Sequence, residues 1–79
     1  MKQPKVTEKK LGRQKAAGQA FKEERRIEID PRQDAYDYLD TLIHEWIHVQ
    51  FPDWQEKKVA STSNKLSKFL WKHKVRIIK

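Results

Sequence analysis

The sequence predicts an α+β fold, with short N-terminal strand structure followed by a long helix and a second, antiparallel helix. Three observations predict it. Ile27 and Ile29 alternate with Arg26, Glu28 and Asp30, the period of a strand with one buried face. Tyr36, Leu39, Leu42, Ile43, Trp46 and Ile47 fall on one broad apolar arc at about 100° per residue, the period of a helix. Asp53, followed three residues later by Glu56, has the form of a capping box that opens another helix.

The elements follow in order. Residues 1–20 are rich in Lys and Gln, with Leu11 nearly alone as a large apolar side chain, and Gly12 and Gly18 interrupt any helix. They are expected to form a basic, flexible N-terminal arm, and residues 21–79 a single domain. A strand is expected at about 25–29, stopped by Asp30-Pro31 because proline cannot donate to a ladder. The first helix spans about 34–50 and ends before Phe51-Pro52. The second spans about 54–71 with Asp53 as its cap and Val59, Leu66, Phe69 and Leu70 inward. Ser61-Thr62-Ser63-Asn64 forms helix poorly and marks an expected kink. The tail from Lys74 to Lys79 carries β-branched residues and is expected to add a short strand.

A chain of 79 residues gives a small core, which a disulfide, a metal or a partner would reinforce. It has no cysteine, so disulfides and thiolate metal sites are excluded together. The opening residues have no apolar run and nothing resembles a membrane span, so no membrane partner and a cytoplasmic location are expected. The net charge of +7 is segregated: residues 1–26 carry +6, residues 27–56 carry −7, and residues 57–79 carry +8. An acidic middle between basic flanks suits a cation site on a body able to touch nucleic acid.

The chemistry is concentrated in His44-Glu45-Trp46-Ile47-His48. Residues four apart share a helix face, so His44 and His48 can offer two imidazole nitrogens to one tetrahedral zinc ion. Glu45 projects beside the pair, where it can take a proton from an attacking water and pass it to a leaving group. A catalytic zinc needs a third protein ligand. Glu56 is favoured, at the start of a helix that doubles back over the first. Asp53 is the runner-up, and His73 is disfavoured by Lys72 and Lys74 beside it. Asp40, one turn before His44, is the candidate to accept the second imidazole N–H. Tyr36 and Tyr38 are read as packing residues.

Leu39-Asp40-Thr41-Leu42-Ile43-His44-Glu45 through His48, then Phe51-Pro52-Asp53, Glu56 and Leu70-Trp71 with a basic end, resembles the small phage-encoded SprT-like metallopeptidase domains. The likeness covers roughly residues 25–76. It implies a minimal zincin-like fold with Zn2+ on His44 and His48, Glu45 as general base, and a third ligand that maps onto Glu56. It also implies a polypeptide substrate and, if the chain is phage-encoded, the host cytoplasm. One departure concerns the C-terminal turn: such domains often carry a glycine after Leu-Trp, where this chain has Lys72-His73-Lys74-Val75-Arg76. An edge formed by Ile27–Ile29 would align an extended substrate. The alternative is a non-catalytic module, with structural zinc or none, gripping nucleic acid through Lys57, Lys58, Lys65, Lys68 and Lys72 or binding protein.

Overall fold

A computed structural model of the protein describes residues 3–12 and 17–78. The fold is α+β, as the sequence predicts: a three-stranded mixed sheet followed by two packed helices. The strands are β1 (Lys5–Glu8), β2 (Gly18–Phe21) and β3 (Arg26–Ile29), and the helices are α1 (Ala35–Gln50) and α2 (Glu56–Lys72).

The N-terminal region is not a free arm. β1 pairs with β3 in parallel, Val6 opposite Ile27, and β2 pairs with β3 antiparallel, Ala20 opposite Ile27. The rest of the expected arm, residues 1–2 and 13–16, lies outside the described residues. The reason is backbone accounting: Ile27 and Ile29 are fully buried, so the amides and carbonyls of β3 need partners on both edges. β1 is exposed along its whole length and joins through its main chain, which leaves no hydropathy signal. Because β3 is the central strand, Ile27–Ile29 presents no open edge; β2 ends the sheet on the side next to α1.

The polar face of β3 is also covered. Glu28 accepts from Gln19 Nε2 and Arg26 Nη1, each at 2.7 Å. Asp30 gathers the neighbouring loops, accepting from the Leu11 amide at 3.0 Å and from the Arg32 amide and guanidinium, while its own amide donates to the Ala17 carbonyl at 2.8 Å.

α1 starts at the expected place. Asp34 is its N-cap, accepting from the Asp37 amide at 2.9 Å. Its buried side chains include Leu39 and Ile47 from the expected arc, but also Tyr38, Glu45 and Val49, since α1 is covered by the sheet on one side and α2 on another.

α2 differs from expectation in three respects. The capping box does not form: Gln55 is the N-cap without a side-chain bond, and Asp53 is exposed in the preceding turn. That turn closes through the Trp54 amide on the Phe51 carbonyl at 3.0 Å, with the two rings stacked 4.7 Å apart. Its closure displaces the helix start to Glu56. The helix is continuous through Ser61–Asn64, and its inward side is Val59, Ser63 and Ser67, whereas Leu66 and Phe69 are exposed. Small serines let the two helix backbones approach, and the seam runs in steps of four. Tyr36 meets Trp71, Asp40 meets Ser67, and His44 meets Ser63.

No strand forms over residues 75–78, and Lys79 lies outside the described residues. Instead the Lys74 amide bonds to Trp71 and the Val75 amide to Leu70, each at 3.0 Å, with Lys74 at φ 67°. This is a Schellman close with lysine where glycine usually sits, so the missing glycine of the resemblance does not abolish the turn. Among the described residues, no helix is long and apolar enough to cross a membrane.

Candidate metal centre

The register of the α1–α2 seam brings the first turn of α2 over the last two turns of α1. His44 Nε2 lies 2.8 Å from Glu56 Oε1, and His48 Nε2 lies 2.6 Å from Glu56 Oε2. One carboxylate therefore bridges both imidazoles. Among the described residues, the group of acidic and histidine side chains able to hold one metal ion is His44, His48 and Glu56. Asp53 and His73 take no part in it; the His73 ring lies beside Phe69, 4.6 Å between centroids, near the far end of α2.

Three ligands held by zinc at about 2.0–2.1 Å in a tetrahedron stand roughly 3.3 Å apart. The ligand atoms here lie within 4.8 Å of one another, so the donor set has the right size and composition. The contacts to Glu56 are closer than that spacing, and its side chain, 66% exposed, is free to withdraw by the difference. With both histidines neutral, the carboxylate lone pairs need a proton or a cation in each contact. Two Nε2 atoms that faced this carboxylate with lone pairs at 2.6–2.8 Å would form a pocket suited to positive charge.

Glu45 stands on the sheet side of the same helix turn, 8% exposed. Burial raises its carboxyl above the ordinary glutamate value; His44 and His48 pull it down, and Glu56 pushes it up further. Two adjoining depressions share His44, Glu45 and Glu56. One, of about 240 Å³, adds Asp40 and Thr41; the other, of about 330 Å³, adds Gln19, Ala20, Lys22 and His48. Gly18 lines both, so β2 forms a wall of the cleft.

Two features of the site have no signal in the sequence. Gly18 reads there as a helix breaker, yet it is a point where β2 packs tightly against α1. A Cβ there would meet Thr41 Cγ2 at 2.6 Å and Glu45 Cγ at 3.2 Å. Asp40 does not orient His44: it accepts from Ser67 Oγ at 2.7 Å, and the group beside His44 Nδ1 is Ser63 Oγ at 3.4 Å. The four-residue spacing of Val59, Ser63 and Ser67 marks a helix face, but only the seam shows what it faces. No protein-family model, no curated protein and no solved structure matches the chain.

Proposed function

We propose that this protein is a zinc-dependent peptidase-like hydrolase, with His44, His48 and Glu56 as metal ligands and Glu45 as general base. The observation that carries the reading is the convergence of both Nε2 atoms on the two Glu56 oxygens, with a buried carboxyl beside them in the same cleft. Zinc bound there supplies Lewis-acid chemistry, polarising a scissile carbonyl and acidifying water. Glu45 receives the proton of the attacking water and returns it to the leaving amine. Its raised proton affinity brings it nearer to what a base working at neutral pH requires. The outer edge of β2 offers main-chain donors and acceptors along the cleft, on which an extended polypeptide can be laid by strand addition.

The test is metal content per chain for the wild type and Glu56→Ala. About one zinc in the wild type, lost or sharply weakened in the variant, is the expected result. No zinc in either, with the fold intact, would refute it.

A second reading is favoured by one observation: α2 and the tail carry no acid after Glu56, and Lys57, Lys58, Lys65, Lys68 and Lys72 are all exposed. On this reading the protein is a basic module that grips nucleic-acid phosphates, with or without metal. Affinity for duplex DNA would then fall with salt on a slope close to the number of phosphates neutralised. Weak binding that ignores salt would remove this reading.

A further inference from the structure

The cleft beside β2 has two ends of opposite charge. Asp40 lines one depression, with Ala17 and Thr41. Lys22 lines the other, with Ala20 and His48. Among the described residues, neither Lys22 nor Asp40 is in an ion pair. The exposed Lys22 ammonium donates to the Pro52 carbonyl at 3.3 Å, which ties it beyond the end of α1 and leaves two of its three protons. Asp40 accepts from Ser67 Oγ through Oδ1 at 2.7 Å, and its Oδ2 has no hydrogen-bond partner among the described residues.

The main chain between these two ends is open. The Lys5 and Lys9 amides donate to the Arg25 and Ile29 carbonyls, and the Asp30 amide donates to the Ala17 carbonyl. In this register Gln19 and Phe21 turn their main chain toward β3, so Gly18 and Ala20 turn theirs to the free edge. A polypeptide added there in the more stable, antiparallel sense has its N-terminal part toward Lys22 and its C-terminal part toward Asp40. β2 is four residues long, about 13 Å of strand, so side chains some two residues either side of the cleft centre reach the two charges.

We propose that Lys22 and Asp40 fix the charge order of the polypeptide this cleft takes. An acidic side chain before the scissile bond meets Lys22, and a basic one after it meets Asp40. The scissile bond rests on the peptidase reading above; the charge order of the bound chain does not.

The experiment uses the full chain with zinc and two dye-labelled peptides of one composition. The first carries glutamate two residues before a central Ala-Leu bond and lysine two residues after it; the second has the glutamate and lysine exchanged. Fluorescence anisotropy with Glu45→Gln reports binding, and mass spectrometry with the wild type reports any cut and its position. The glutamate-first peptide is expected to bind about tenfold tighter at low salt, with the difference shrinking as salt rises. Lys22→Glu should abolish that preference. Asp40→Asn, which keeps an oxygen for the Ser67 hydroxyl, should reduce it to about threefold. Equal affinity for the two peptides, tighter binding of the lysine-first peptide, or binding of neither would overturn the proposal. So would a preference that both variants leave intact. Cutting without ordered binding would refute the charge order and leave the peptidase reading standing. Ordered binding without any cut would refute the peptidase reading and leave the charge order standing.

Discussion

Gly18 of β2 and Thr41 of α1 approach so closely that a Cβ on the glycine would stand 2.6 Å from the threonine Cγ2. No rotamer of an added methyl relieves this, because the other neighbours are the Glu28 carbonyl and Glu45 Cγ, both at 3.2 Å. The contact sets how near the sheet edge lies to the helix that carries Glu45, and hence the width of the cleft.

Gly18→Ala is expected to destabilise the fold by about 1–3 kcal/mol, the usual cost of overpacking. Thr41→Ser removes the offending methyl and keeps the hydroxyl that bonds Gln33 Oε1 at 3.0 Å. The double variant should therefore recover part of the loss, a non-additivity that a double-mutant cycle by chemical denaturation will measure.

Glu45→Gln should keep the fold and the metal while turnover falls at least 100-fold, in line with about 10²–10⁴ for a lost general base. The raised carboxyl makes a second prediction. A carboxyl whose folded pKa lies above its unfolded value resists ionisation in the native state, so it lowers stability above the folded pKa and costs nothing below the unfolded one. In metal-free protein, Glu45→Gln should be more stable than wild type at neutral pH, and the difference should vanish as pH falls below the ordinary glutamate value. Equal stability of the two proteins at both pH values would count against the burial argument.

Asp30 has the opposite sign. The Arg32 side-chain and backbone bonds, with the Leu11 amide, hold its carboxyl far below the usual carboxylate range. A depressed pKa contributes stability above the unfolded value, near roughly 4, which is lost as pH falls through the folded one. Asp30→Asn should unfold more readily at neutral pH and show a flatter dependence of melting temperature on pH in acid. A wild-type acid profile unchanged by the substitution would contradict it.

Lys74 closes α2 at φ 67°, where a side chain is strained and glycine is not. Lys74→Gly should stabilise the protein by about 0.5–1 kcal/mol, the relief of strain less the added freedom of the unfolded chain. Loss of stability instead would mean that Lys74 makes a contact worth more than the strain.

Much of α1 is legible from one dimension because its determinants are local. The 3.6-residue apolar period and the four-residue spacing of His44 and His48 both act within a few turns of one helix. β3 is legible for the same reason, through Ile27 and Ile29. β1 and β2 are not, since their pairing is main chain to main chain across sequence gaps, and backbone amides look alike in every residue type.

By itself, then, the sequence determined the α+β class, the strand at Ile27 and Ile29 but not its central place, and the helix bearing His44, Glu45 and His48, and it favoured Glu56 as the residue to join the two histidines. Tertiary structure alone decided that Glu56 stands free of a capping role with one oxygen on each imidazole, that Gly18 walls the cleft, and that Ser63 rather than Asp40 lies beside His44. The physical reason is register. Helix periodicity says which residues share a face, but only the packing of one helix against another, set here by Val59, Ser63, Ser67 and Trp71, says what each face meets.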